Sequence, residues 1–174
     1  MIEGLRLIKP KVHKDLRGFF FESYNLPHYA WEGIDCQFVQ DNVSFSWKHV
    51  LRGMHFQTTP GQDKLVQVLR GTIFDVVVDM RKDSANFGKW EGVILDAKDP
   101  SAFFIPKGFA HGFCVLSKQA LVHYKVSAVY NPQTEGVFRW NDPEIGIKWP
   151  IQTPLLSEKD ANSPSFDRCL VCVK

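Results

Sequence analysis

The chain has 174 residues, 44% of them hydrophobic and 23% charged, with a net charge of only +2; this is an ordinary globular balance for about one domain. It has no long Lys/Arg run or stripe, which gives no support to nucleic-acid binding, although a compact diphosphate needs only a few well-placed arginines. No apolar stretch approaches the roughly 18 residues of a membrane span, and the N-terminal Met1-Ile2-Glu3-Gly4-Leu5-Arg6 lacks an apolar signal core, so a cytoplasmic location is expected.

Taken in chain order, a short helix is expected near 27–31. Around Met54, period-two alternation places Gly53, His55 and Gln57 on one face and Arg52, Met54 and Phe56 on the other. Strands are expected over 64–70 and 72–80, split at Arg70-Gly71, and over 89–95, 102–105, 112–116 and 121–130. In the 72–80 strand, Asp75 and Asp79 share a face. They stand there either as partners of His55 or His111 or simply facing water. In the last strand Val122, Tyr124, Val126 and Ala128 form the more apolar face, which points Tyr124 inward. Turn signals fall at Asp99-Pro100, Pro106-Lys107-Gly108 and Asn131-Pro132. A second short helix is expected after Ser157, where Ser157-x-x-Asp160 has the form of a cap. Four cysteines make no disulfide framework in a chain of this size, and Cys169-x-x-Cys172 reads as incidental thiols rather than a redox or metal pair. Many short, evenly spaced strands predict an all-β barrel or jelly roll over alternating β–α units. No linker or repeat interrupts the chain, so a single domain over 1–174 is expected.

Two segments resemble the paired motifs of the cupin jelly-roll superfamily: Gly53-Met54-His55-Phe56-Gln57, closing at Gly71, and Pro106-Lys107-Gly108-Phe109-Ala110-His111. A typical metal-binding cupin has H-x-H and then a glutamate in the first motif. Here Gln57 replaces the second histidine, and Lys64, read as a permanent cation under most conditions, stands near the glutamate position. An ammonium among the ligands repels a metal ion and removes a donor oxygen, so no catalytic metal is expected.

A fuller resemblance covers nearly the whole chain. It is carried by Asp15-Leu16-Arg17-Gly18-Phe19-Phe20-Phe21-Glu22-Ser23-Tyr24, Phe38-Val39-Gln40-Asp41-Asn42, Val50-Leu51-Arg52-Gly53-Met54-His55-Phe56-Gln57 and Lys64-Leu65-Val66. Further along come Phe74-Asp75-Val76-Val77-Val78-Asp79, Ile105 to Phe113, Tyr124-Lys125, Trp140-Asn141-Asp142-Pro143, Ile147-Lys148-Trp149-Pro150 and Leu156-Ser157-Glu158-Lys159-Asp160. In order and spacing these resemble the dTDP-4-dehydrorhamnose 3,5-epimerase family, a cupin-type jelly roll with a few short helices. The resemblance implies a cofactor-independent homodimer that acts on a dTDP-linked 4-keto-6-deoxy sugar, inverting carbons beside the ketone. N-terminal strands would cross to the partner, where Arg17 and Glu22 would serve the neighbouring site. One departure is Val129, which stands before Tyr130 where the family commonly has a second tyrosine. It leaves open a mono-epimerase acting at C3 or C5 alone.

A C4 ketone acidifies the protons on C3 and C5, so inversion needs a base, an enolate stabiliser and an acid. His55 suits the base, and the resemblance pairs it with Asp160, whose carboxylate would fix the tautomer. Lys64 would hold the enolate oxygen. Tyr124 would return the proton from the other face, with Lys64 one source of support for its phenolate. Arg17, Glu22, Gln40, Asn42, Arg52, His111 and Glu135 match the family's binding positions. The guanidinium forks of Arg17 and Arg52 suit phosphate oxygens, and His111 reads as orienting the substrate. Each residue also has a plainer reading. His55 and Tyr124 are ordinary core residues of a barrel, Asp160 a helix cap, Lys64 a solvated strand-edge lysine. The aromatics 19–21 either stack on a base or pack in the core. Rivals from other classes are a metal-dependent cupin enzyme and a non-catalytic sugar-nucleotide binding module.

Overall fold

The computed structural model describes residues 1–171. In chain order its elements are β1 (Arg6–Ile8), β2 (His13–Asp15), β3 (Gly18–Phe20), α1 (Leu26–Trp31), β4 (Gln40–Trp47), β5 (Leu51–Gln57), β6 (Lys64–Arg70) and β7 (Thr72–Asp79). They continue with β8 (Trp90–Asp96), β9 (Ala102–Ile105), β10 (Phe109–Val115), β11 (Gln119–Val126), β12 (Glu135–Val137), α2 (Glu158–Ala161) and α3 (Phe166–Val171). One sheet has the order β1-β9-β6-β11-β4 and the other β12-β5-β10-β7-β8, all paired antiparallel, with β2-β3 a separate hairpin. The expected all-β jelly roll is borne out. Among the described residues no helix is long and apolar enough to cross a membrane.

Strand alternation sorts the side chains into three apolar clusters. Between the sheets lie Val66, Val68, Ile73, Val77, Phe103, Phe113, Val115 and Val122. The outer face of the first sheet buries Leu65, Ala102 and Phe104 under Tyr29 of α1 and Ile34. The outer face of the second buries Met54, Val76, Val78 and Ala110 under Phe138, Ile145 and Phe166 of the C-terminal segment. The short helices are lids for these outer faces. α1 starts at Asn25, whose side chain accepts from the His28 N–H, with a proline in its first turn; proline loses nothing there because that N–H has no helical partner. Cys169 is buried in the second outer cluster, while Cys172 lies outside the described residues.

Two expectations need correction. The 121–130 strand ends at Val126, so Ala128 does not continue the inward face. Gln62 Nε2 donates to the Ala128 carbonyl at 2.7 Å and the Asp63 N–H donates to Ser127 Oγ at 2.8 Å; these bonds turn the chain out toward Asn131-Pro132. The alternation around Met54 also breaks. β10 sets His111 opposite His55 but Phe113 opposite Arg52. Three residues of β5 therefore span two of β10, and the bulge reverses the phase. Arg52 and His55 consequently face the same cavity. The bulge requires glycine, because Gly53 has φ +130° and a Cβ there would sit 2.6 Å from Gly112 Cα.

Candidate active site

At one end of the barrel the inward row turns polar. A cavity opens there in two lobes of about 220 and 280 Å³. His55, Lys64 and Tyr124 line both. The first lobe adds Gln40, Asn42, Gln57, Tyr130 and Glu135, and the second Ser44, Arg52, His111, Ser157 and Asp160.

His55, on β5, bonds through Nε2 to Asp160 Oδ1 at 2.7 Å across 105 positions of sequence. Asp160 is 3% exposed and sits in the first turn of α2, where Ser157 caps the helix and its Oγ accepts the Asp160 N–H at 3.1 Å. Burial pushes the Asp160 carboxyl up. The hydrogen bond and charge of His55, with further bonds from Ser157 and the Gly53 N–H, outweigh burial and hold it below its usual range. An ionised carboxylate accepts only, so Nε2 carries the proton and Nδ1 is left as the basic nitrogen. The expected His55–Asp160 pairing is in place.

Lys64 follows the parity of Val66 and Val68 on β6, which carries its side chain inside; it is 7% exposed. The solvated-edge reading is wrong. Its Nζ lies 3.4 Å from the His55 carbonyl oxygen. Burial pushes the ammonium down to about 8, against the opposing pull of Asp75 and Glu135. The expectation of a permanent cation is corrected accordingly: Lys64 titrates just above neutrality because it is taken out of water.

Tyr124 on β11 lies inward as expected, beside Asn42 of β4 and Val66 of β6 in the sheet register. Burial raises its phenol; Arg52 acts against this and Glu135 adds to it. A protonated phenol at neutral pH suits a proton donor. The cation that favours its phenolate is Arg52; Lys64, expected as one source of that support, is not among the charges that act on it. Arg52 is itself aimed by β4: its Nε donates to Ser46 Oγ at 3.0 Å and its Nη2 to the Phe45 carbonyl at 3.4 Å.

His111 Nε2 meets both oxygens of Asp75 at 2.9 and 3.0 Å, with Asp75 fully buried. Of the two carboxylates sharing the β7 face, Asp75 is thus the histidine partner. Asp79 is not, because Arg81 Nη2 at 2.7 Å and Ser84 Oγ at 2.7 Å occupy it.

Gln40 Nε2 donates to Asn42 Oδ1 at 2.8 Å, and Gln40 Oε1 accepts the Tyr130 N–H at 3.0 Å. Glu135 on β12 accepts from the Tyr130 hydroxyl at 2.8 Å and pairs with Lys159. Tyr130 and Ser44 were not expected in the site, nor was Lys159 expected beside it as the partner of Glu135. For Tyr130 the available signal was an aromatic residue beside the Asn131-Pro132 turn; for Lys159, its place next to Asp160. Val129 is exposed and lines neither lobe.

Arg17 and Glu22 do not join this cavity within the single chain. Arg17 is exposed at the tip of the β2-β3 hairpin and pairs with Asp15. Glu22 accepts from Asn25 Nδ2 at 2.8 Å. Phe19 and Phe20 are exposed rather than packed in the core, which removes that reading for them.

The donor set does not fit a metal ion. Gln57 spends both ends of its amide on the 131–134 turn, donating to the Asn131 carbonyl at 2.9 Å and Thr134 Oγ1 at 3.0 Å and accepting the Asn131 N–H at 2.9 Å. The two histidines are each engaged by a carboxylate, and the Lys64 ammonium lines the same lobe. Among the described residues no three His, Cys, Asp or Glu side chains converge at ligating distance.

Comparison with known proteins shows the family. Residues 1–168 match the family model described as dTDP-4-dehydrorhamnose 3,5-epimerase. The chain is 46% identical to the enzyme of that name from Methanothermobacter thermautotrophicus, covering 92% of this chain and 89% of the relative. It is 49% identical to the one from Salmonella typhimurium, covering 98% and 94%. A solved structure of a dTDP-6-deoxy-D-glucose-3,5-epimerase from Legionella pneumophila, in complex with dTDP-4-keto-L-rhamnose, superposes with a TM-score of 0.92 at 47% identity, covering 95% of this chain and 89% of that one. This chain belongs to the dTDP-4-dehydrorhamnose 3,5-epimerase family.

Proposed function

We propose that the chain converts dTDP-4-dehydro-6-deoxy-D-glucose to dTDP-4-dehydro-L-rhamnose by inverting C5 and C3 beside the C4 ketone. The observation that carries this reading is one cavity lined by a carboxylate-bound imidazole, a buried ammonium and a protonated phenol. His55 Nδ1 takes the proton from the carbon, and the electron pair moves into the ketone to leave an enolate oxygen. Lys64 faces that oxygen as a cation in a water-poor site, where such a charge acts more strongly than in water. Asp160 stabilises the imidazolium. Tyr124 gives its proton to the opposite face, the ketone reforms, and Arg52 steadies the phenolate until solvent restores both groups. No redox change occurs, so the residues themselves supply the chemistry. Binding the remote nucleotide would hold the sugar for these transfers; Gln40, Asn42, Arg52, His111 and Glu135 are placed for that work.

The active form is proposed to be a cytoplasmic homodimer of one domain per chain. Exposed apolar groups support it: Leu16, Phe19 and Phe20 on the hairpin, and Val43, Phe45 and Trp47 along β4, an edge strand. Unpaired edges with apolar side chains invite strand addition. In a dimer the hairpin would carry Arg17 and Glu22 to the partner's cavity. Light scattering on the eluting protein gives twice the chain mass if so.

The experiment for the reaction is incubation with dTDP-4-keto-6-deoxyglucose in D₂O, read by NMR. Deuterium at both C3 and C5 with inversion is expected. Label at one carbon alone would reduce the reading to a mono-epimerase, the alternative that Val129 raises.

A further inference from the structure

The inward residues of β4 form a rail of neutral hydrogen-bonding side chains: Gln40, Asn42, Ser44 and Ser46. Three of them have protein partners. Gln40 bonds Asn42 and the Tyr130 N–H, and Ser46 accepts from Arg52. Ser44 Oγ is different, being buried with no hydrogen-bond partner among the described residues. A buried hydroxyl left unpaired is costly relative to one that is satisfied, so such a group points to a partner outside the folded chain. The serine lines the second lobe together with Arg52, His111 and Tyr124. The residue as a whole is part-exposed, but its Oγ is buried. Serine has three staggered χ1 wells, and contact with a ligand in the lobe requires the one that faces it.

The neighbouring charge decides what it meets. Arg52 is held by two bonds to β4, at Ser46 and Phe45, and has no carboxylate partner among the described residues. A guanidinium fixed by neutral acceptors keeps its remaining N–H groups for an anion. Ser44 is two residues from the Ser46 that orients it, on the same face. We propose that Ser44 donates a hydrogen bond to a phosphoryl oxygen of the bound nucleoside diphosphate, beside the Arg52 guanidinium, with Ser46 the positioning residue for that arginine. This rests on the sugar-nucleotide reading above and adds a binding residue to the same site.

The test is calorimetric binding of dTDP and of thymidine to wild type, Ser44→Ala and Ser44→Thr, with steady-state kinetics on the keto-sugar. Loss of a hydrogen bond to a charged oxygen predicts dTDP affinity about ten- to a hundredfold weaker in Ser44→Ala. Thymidine affinity stays within twofold, and the kinetic loss falls on KM more than on kcat. Ser44→Thr, which keeps the hydroxyl, recovers most of the dTDP affinity. Thermal stability of Ser44→Ala matches or exceeds wild type, because the unpaired group is gone; should that variant misfold, Ser44→Cys keeps the volume with a weak donor and carries the same expectation. Unchanged dTDP affinity, or an equal loss for thymidine, overturns the assignment. So does a fall in kcat with dTDP binding intact, which would place the hydroxyl on the Tyr124 phenolate instead. Wild type that fails to bind dTDP at all would refute the sugar-nucleotide reading itself, a separate outcome.

Discussion

Replacing Lys64 by methionine separates what this side chain does for the reaction from what it does to the fold. Lys64 is 7% exposed, its one hydrogen bond among the described residues is a 3.4 Å approach to the His55 carbonyl, and burial lowers its ammonium from 10.5 to about 8. That displacement corresponds to roughly 3 kcal/mol against the charged form. The folded value lies below the unfolded one, so between about pH 8 and 10.5 the unfolded chain binds the extra proton and wild-type stability rises with pH. The full penalty is present below pH 8. Methionine is similar in shape and carries no charge, so Lys64→Met is expected to be more stable than wild type at pH 7, by at most about 3 kcal/mol. Asp75 and Glu135, which lose a compensating cation, offset part of this. Urea unfolding at pH 7, 8, 9 and 10 reads the effect as a stability difference that shrinks as pH rises. Turnover should fall by about 10²–10³, the usual loss when one enolate-facing donor is removed, and wild-type kcat/KM should decline above about pH 8 as the ammonium is lost. A stability difference that stays flat from pH 7 to 10, or a variant with wild-type turnover, would refute the reasoning.

Tyr124→Phe removes the proposed acid but leaves the His55–Asp160 pair. Epimerisation is expected to drop by about 10²–10⁴, while NMR in D₂O still shows exchange at the carbon that His55 deprotonates, without inversion; loss of exchange as well would make the phenol part of the base side. Gly53→Ala forces a Cβ to within 2.6 Å of Gly112 Cα at φ +130°, so thermal or urea unfolding should show a loss of roughly 2–4 kcal/mol, together with lower activity as Arg52 and His55 lose their shared face. Ser157→Ala removes the cap of α2 and one bond that holds the Asp160 backbone, at a cost of about 1 kcal/mol; a reduced kcat with near-normal dTDP affinity is expected, because Asp160 then aligns His55 less well.

Part of the site was legible because strand side chains alternate with a period fixed by the backbone; most of its residues were named by family resemblance. That period placed Tyr124 inward, and Ser157-x-x-Asp160 announced the helix that presents the carboxylate. The same period failed at Arg52. One extra residue at Gly53-Met54 reverses the phase, and the bulge is defined only by the register against β10. The pairing of His55 with Asp160 was supplied by family resemblance; nothing local joins residues 105 apart. Lys64 shows the limit most clearly. Its parity on β6 can be counted from the chain, but its titration near 8 exists only because two sheets close over it and exclude water. Asp75 and Asp79 share a strand face, and what divides them is His111, brought to Asp75 from β10, while Asp79 is taken by Arg81 two residues on. The linear order of residues determined the alternating β pattern, the breaks between strands and the chemical groups on hand. Tertiary packing decided which of those groups share a cavity and how they are charged, because proximity and solvent exclusion belong to the closed barrel and not to any segment of it.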